Sequence, residues 1–387
     1  MNQSFIANVI RKYSDVIIKR GRGSYVYGHD NKQYLDFTSG IGVLSLGHSN
    51  KRVNNMVKRQ MKNYVHSQQM CLSNYPAIKL CETISTITPD NLNVTYLCNS
   101  GTDAVDSALR IARYATGKKI ILSLPNGYHG RSLGVSALTE NIPERKKVTP
   151  FVGSSYISEN VFSQLDNCGN NIAAVIIEPI QGEGGIYQFD KEFMQRLRQK
   201  CTYNDILLIA DEVQCGISRS GEMFAFSRSK IVPDIILTGK GLGNGYPIAA
   251  VTSTKEIFNK CPIGSIGNTY GANALSVAAA QTTLDIIKDD FITEKVNKDE
   301  TMIIDWANKE ESVIDVRIYG LMVGLVFEQP VERLRQICLK NGLLTLPTRN
   351  PNMLRLLPSL NISEKHLKIG LDILSMSMYE NTKHLNI

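Results

Sequence analysis

Six short apolar runs, each closed by polar residues, constrain this chain more than any other feature. They are "VTYLC" (94–98), "KIILSL" (119–124), "AAVIIEPI" (173–180), "ILLIADEV" (206–213), "DIILTG" (234–239) and "IAAVTST" (248–254). Most are near-continuous rather than alternating, as expected of strands covered on both faces of a mainly parallel sheet. Between them lies helical spacing: over 102–115, Ala104, Ala108, Ile111, Ala112 and Ala115 line one face. Strands alternating with helices predict an α/β architecture with helices on both sides of the sheet.

A chain of 387 residues is long for one core, so a large domain with a smaller companion is expected. In "SYVYGHDNKQYLDF" two β-prone pieces flank turn residues and read as an edge hairpin. Beyond about 276 the pattern is helical, then strand-like at "VRIYGLMVGLVF" (316–327), then helical through "VERLRQICLKNG", as in a small α+β domain. The expected division is 1–45, a hairpin segment packing with the small domain; 46–275, the large domain; and 276–387, the small one.

Composition removes several classes of function. The 43 Lys and Arg against 36 Asp and Glu leave a charge of +7, scattered in short clusters such as "KRGRG" and "ERKK". Without a basic stripe interleaved with aromatics, this predicts no nucleic-acid partner but some attraction for small anions. Eight cysteines without a CxxC pair predict reduced thiols in a cytoplasm, with neither a disulfide framework nor a metal site. No apolar run approaches the length of a membrane span, so no membrane association is expected.

Ligands of open parallel sheets sit outside the carboxyl ends of the strands. The first run leads through Asn99, Ser100, Gly101 and Thr102 into a helix, a turn that suits an anion or is an ordinary cap. The fourth ends in Asp211 and Glu212, placed to cap a turn, bind a metal or hold a cationic partner. The fifth delivers Lys240 between two glycines. A phosphate loop would need Gly at 234 and Ser or Thr at 241, where the chain has Asp and Gly. A dinucleotide fingerprint fails because 244 is Asn. What remains is an amine, a buried acid and a phosphate nest at one sheet edge, the set that pyridoxal 5'-phosphate requires.

In their order and spacing, "GSYVYGHDNKQYLDFTSGIGVLSLGH", "NSGTDAVDSALRIAR", "YHGRS", "IIEPIQGEGG", "LIADEVQCGISRSGEMFAF", "PDIILTGKGLGNGYPIAA", "GNTYGANALSVAAA" and "NMLRLLPSLNIS" resemble the class III, fold type I pyridoxal-phosphate aminotransferases over nearly the whole chain. The resemblance implies that Lys240 anchors the cofactor and moves the proton, while Asp211 faces the pyridine nitrogen. Val213 and Tyr128 would sandwich the ring, with Gln214 near its phenolic oxygen. Ser100, Gly101 and Thr102 would hold the phosphate, and Thr269 would reach it from the second subunit of a homodimer whose active site lies at the interface. Arg131 would bind a substrate carboxylate at the outer end. Arg355 would grip the α-carboxylate of 2-oxoglutarate, and Glu183 would pair with Arg355 while an ω-amine is bound.

Asp103, Val105, Ile266, Asn268 and Ala274 depart from the commoner residues of that family, and none is a group with a direct role in the chemistry. Compact length, "GLMVGL" and "GLLTLPTRNPNMLRLLPSL" are most similar to the N-acetylornithine enzymes. The expected donor is therefore N-acetylornithine, or ornithine or N-succinyl-diaminopimelate, with 2-oxoglutarate as acceptor. The alternatives are a 4-aminobutyrate or other ω-amino acid transaminase, and a cofactor-binding homologue without catalysis.

Overall fold

The computed structural model describes residues 7, 9, 10, 12–140, 155–167 and 171–383, and only the backbone of 155–157. Cys168 and the "ERKK" cluster lie outside the described residues. The six apolar runs become β4 (Val94–Cys98), β5 (Ile120–Ser123), β7 (Ile172–Ile177), β10 (Leu207–Asp211), β11 (Ile235–Thr238) and β12 (Ala249–Ser253). Earlier in the chain lie β1 (Ile18–Arg22), β2 (Tyr25–Gly28) and β3 (Gln33–Asp36). The large sheet runs β4-β12-β11-β10-β7-β5-β6, with β6 (Ser155–Ile157) a short edge strand that the sequence pattern does not reveal.

Every residue of β7, β11 and β12 is buried, which is why these runs lack alternation. The pairs among β5, β6, β7, β10 and β11 are parallel, whereas β12 lies antiparallel to both β11 and β4. The link from β11 to β12 is too short for a crossover helix, so the chain turns back on itself. Lys240 opens that link and thus stays at the carboxyl edge.

The helix Gly101–Thr116 follows β4 at once, capped by Ser100 Oγ on the Asp103 amide and closed by Gly117 in the left-handed region. Ala104, Ala108, Ile111 and Ala112 are buried against one sheet face with Ile209, Ile235 and Val251. The opposite face packs helices Lys51–Asn63, Tyr75–Ser85 and Lys191–Tyr203. Helix Ala274–Asp289 packs on the first two of these.

The expected hairpin is present as β2 and β3, with β1 added on its outer side. On its other side β3 pairs in parallel with Leu343–Leu344, and Phe37 fits against Gly370 of the C-terminal helix, where a Cβ would overlap its ring. The strand-like stretch near 320 is two strands rather than one. Asp315–Tyr319 and Met322–Val326 pair antiparallel around Gly320, whose φ of 58° suits glycine. Met322–Val326 then pairs with Met353–Leu356, which places Arg355 opposite Gly324.

Between the hairpin and the large sheet, Ser39, Gly40, Ile41 and Gly42 have φ of 45°, 63°, 65° and 74°. Such a run costs conformational energy in the non-glycine residues. The Asp36 carboxylate supports it, accepting from Thr38 N at 2.8 Å, Ser39 N at 3.1 Å and His48 Nε2 at 2.7 Å.

Candidate active site

Lys240 stands half-buried at the start of the β11–β12 link with φ of 40°. Backbone strain in a non-glycine residue is often found at functional positions. No hydrogen bond engages its ammonium among the described residues. Burial lowers its pKa, against the charges of Glu183, Glu178 and Asp211, with Arg355 adding to the depression. The amine is thus held closer to its neutral, nucleophilic form than a surface lysine.

Asp211 ends β10, one strand away, and is buried. Its Oδ2 meets His129 Nδ1 at 2.7 Å, and its Oδ1 accepts from Val213 N at 3.1 Å. The imidazole is itself buried. Burial acts to lower its pKa, but the hydrogen bond and charge of Asp211, with Glu178, raise it overall. His129 therefore works as a donor that fixes the carboxylate. Glu178, at the end of β7, is also buried, and burial pushes its carboxyl up to about 7, with His129 opposing and Asp211 adding.

Next to β10, the helix start at Gly101 presents first-turn amides that no helix can satisfy internally. Ser100 Oγ takes up only Asp103 N, leaving the Gly101 and Thr102 amides without an acceptor among the described residues. The turn is tightly built. A Cβ on Gly101 would come within 2.7 Å of Val213 Cγ1, and one on Gly130 would overlap Thr102 Oγ1. Val213 thus lies over the 100–102 turn and also faces Gly239. Tyr128 is half-buried on the adjoining segment, with the Arg131 guanidinium 5.8 Å from its ring centre. Arg131 is exposed.

Thr269 is exposed, and no hydrogen bond joins it to this cluster among the described residues. Its neighbour Asn268 accepts from Asn99 Nδ2 at 2.9 Å and donates to Tyr96 Oη at 2.6 Å, which ties the 269 loop to the residue preceding Ser100.

Among the described residues Arg355 is the largest wholly buried side chain. Its Nη1 pairs with Glu183 Oε1 at 2.7 Å and donates to Gln214 Oε1 at 3.3 Å, while Nε and Nη2 have no partner among those residues. Two free donors on a buried fork are strongly disfavoured unless a second carboxylate can take them. Glu183, on the turn between β8 (Ile180–Gln181) and β9 (Tyr187–Gln188), has 22% of its side chain exposed and can leave.

The structure brings Lys240, Asp211, Val213, Gln214, Glu183 and Arg355 together with the 100–102 turn and Tyr128. These residues fit pyridoxal phosphate: an amine without a hydrogen-bond partner among the described residues, a fixed carboxylate, amides left free there at a helix start, and a glycine that leaves room for Val213. A Cβ on Gly241 would overlap Ser45 Oγ. Glu212, left open between three roles, caps the amides of Ala225 and Phe226 at 3.0 and 2.9 Å. His129 and Glu178 escaped sequence reasoning, although both stand inside quoted motifs, beside Tyr128 and before Pro179. No group of described residues could hold a metal ion, and no described helix is long and apolar enough to cross a membrane.

A family model described as Aminotransferase class-III matches residues 7–378. The acetylornithine aminotransferase of Clostridium acetobutylicum is 34% identical over 98% of this chain and 100% of its own. A LysW-aminoadipate semialdehyde/glutamate semialdehyde transaminase of Sulfolobus acidocaldarius is 33% identical, covering 95% of this chain and 96% of its own. Among solved structures, the ornithine aminotransferase from Toxoplasma gondii superposes with a TM-score of 0.89 at 24% identity, covering 98% and 94% of the two chains. A transaminase from the marine bacterium Virgibacillus does so at 0.90, also 24% identical, covering 98% of each.

Proposed function

Because the chain belongs to the class III aminotransferase family, we propose that it transfers the ω-amino group of a basic amino acid derivative, N-acetylornithine first, to 2-oxoglutarate, giving glutamate and a semialdehyde. It is an aminotransferase of fold type I, and its cofactor is pyridoxal phosphate. When bound, that cofactor supplies an electron-withdrawing ring beside the substrate carbon that must lose a proton.

The remaining work falls to side chains. Lys240 Nζ would anchor the cofactor and would carry the proton from the donor carbon. Asp211, fixed by His129, would hold the pyridine nitrogen in its protonated form. The amides of Gly101 and Thr102 with Ser100 would hold the phosphate, and Thr269 of a second copy would complete that site in a homodimer. Val213 and Tyr128 would flank the ring, with Gln214 beside it. Arg131 takes the donor's carboxylate at the exposed end. Division into a hairpin segment, a large and a small domain would place these groups in the cleft between the last two. A cytoplasmic setting agrees with the unpaired state of the seven described cysteines.

One observation carries the choice of substrates. Arg355 is fully buried, neutralised by a partly exposed Glu183, and keeps two donor nitrogens, Nε and Nη2, unused among the described residues. Such a site accepts an uncharged chain while paired and a dicarboxylate when Glu183 swings out. Relatives bearing acetylornithine in their names support the donor. The test is a panel of single half-reactions with acetylornithine, ornithine, succinyl-diaminopimelate, 4-aminobutyrate and putrescine, followed by the visible absorbance of the loaded enzyme. Acetylornithine should react fastest. A faster 4-aminobutyrate would move the assignment to that branch, and no reaction with any donor would end it.

A further inference from the structure

Glu178 follows β7 directly, and the register that pairs Ile177 with Ala210 sets it beside Asp211 at the same sheet edge. Its buried carboxylate holds backbone amides from two separate segments. One oxygen accepts Tyr128 N at 2.8 Å, and the other accepts Gly182 N at 3.3 Å. Tyr128 belongs to the segment that carries Arg131. Gly182 opens the turn that carries Glu183.

The turn has little freedom to settle elsewhere. A Cβ on Gly182 would overlap Gln214 Oε1, the oxygen to which Arg355 Nη1 donates. The same turn is braced by Gln181 Nε2 on Pro125 O at 2.7 Å, which again joins it to the Tyr128 segment. Gly182, Gln214, Arg355 and Glu183 thereby form a circuit closed by the chain itself, and Glu178 is tied to it at Gly182. Buried networks of this kind hold position only while every member is satisfied.

We propose that Glu178 is a positioning residue that couples the Tyr128 side of the pocket to the Glu183–Arg355 pair, setting how readily Glu183 releases Arg355 to a dicarboxylate. The carboxylate has two acceptor oxygens for two amides. An amide side chain has one, so Glu178→Gln must release either Tyr128 or the turn, and the longer bond at Gly182 yields first. A loosened turn holds Glu183 less firmly on Arg355. The cost falls on the amine donor, whose uncharged end needs that cation neutralised, and not on 2-oxoglutarate, which replaces Glu183.

The coupling rests on the aminotransferase reading above, so one arm of the test is independent of it. Hydrogen exchange by mass spectrometry on peptides covering 125–131 and 180–186 should show exchange about tenfold or more faster at 180–186 in Glu178→Gln, the loss expected for one bond to a charged acceptor. In the second arm, KM for the amine donor rises about fivefold or more while KM for 2-oxoglutarate falls, as for a counter-ion held less firmly on Arg355. Glu178→Asp keeps the charge but shortens the arm, and should show the same split if Glu178→Gln does not fold. Unchanged protection at 180–186 in a folded variant, or equal KM increases for both substrates, would overturn the proposal. Wild-type protein that transaminates no pair of substrates would count against the function instead, while the exchange data still decide on the tie.

Discussion

Replacing Glu183 by Gln separates the two halves of the reaction. The Arg355–Glu183 pair is close, at 2.7 Å, and the arginine is wholly buried. With charge centres about 4 Å apart and an effective dielectric of about 20, their attraction is about 4 kcal/mol. Desolvation and side-chain ordering take back roughly half, leaving about 2 kcal/mol in favour of the pair. A dicarboxylate must displace that contact in the wild type and meets no such competitor in the variant. KM for 2-oxoglutarate should therefore fall by about 10- to 30-fold.

The donor half-reaction should suffer by a similar factor, because Arg355 would remain a buried cation facing an uncharged chain. Stopped-flow measurement of each half-reaction, following the visible absorbance of the loaded enzyme, reads both directions. Equal losses in the two halves, or an unchanged KM for 2-oxoglutarate, would refute the role of Glu183 as a displaceable counter-ion.

Four further outcomes follow from the same geometry. Lys240→Ala should lose the yellow colour of the wild-type protein together with turnover, measured by absorbance after cofactor addition, and retention of the colour would place the anchor elsewhere. Gly130→Ala combines a φ of 134° with an overlap on Thr102 and should destabilise by about 3 kcal/mol in chemical denaturation; Gly101→Ala, pressing on Val213, should leave the fold intact and weaken cofactor binding about tenfold in equilibrium titration. Burial raises the carboxyls of Glu178 and Glu212 to about 7 from the usual 4.5, so folding disfavours their ionised forms, and their contribution is complete below 4.5 and lost as pH climbs through 7. Glu212→Gln should flatten the decline in denaturation free energy between pH 5 and 7.5 by up to about 3 kcal/mol, and an unchanged slope would show that Glu212 does not titrate there.

Much of the large sheet was legible because its signal is local. An apolar run of five or six residues reports a doubly covered strand wherever its partners lie, and a polar residue at the end of that run must emerge at a sheet edge. Lys240, Asp211 and the 100–102 turn were found in this way, before any family was considered. The pairing of Arg355 with Glu183 was legible only through the resemblance, since nothing in either segment points to the other. β6 is not legible because three residues carry no period, and in the strand-like 316–327 stretch Gly320 alone marks the turn between two strands.

What the sequence by itself determined is therefore the menu: an α/β sheet, and an amine, an acid and an anion nest at strand ends. Only tertiary structure decided how they work together. The antiparallel course of β12 follows from a link too short to cross over, and it keeps Lys240 on the edge shared with Asp211. His129 reaches Asp211 from 82 residues away, and Glu178 holds the Tyr128 amide from 50 away. Asp211 and Glu212, adjacent and alike, went to different tasks because successive side chains of a strand point to opposite faces. One meets the site and the other two backbone amides, a division that appears only when the chain has closed around both.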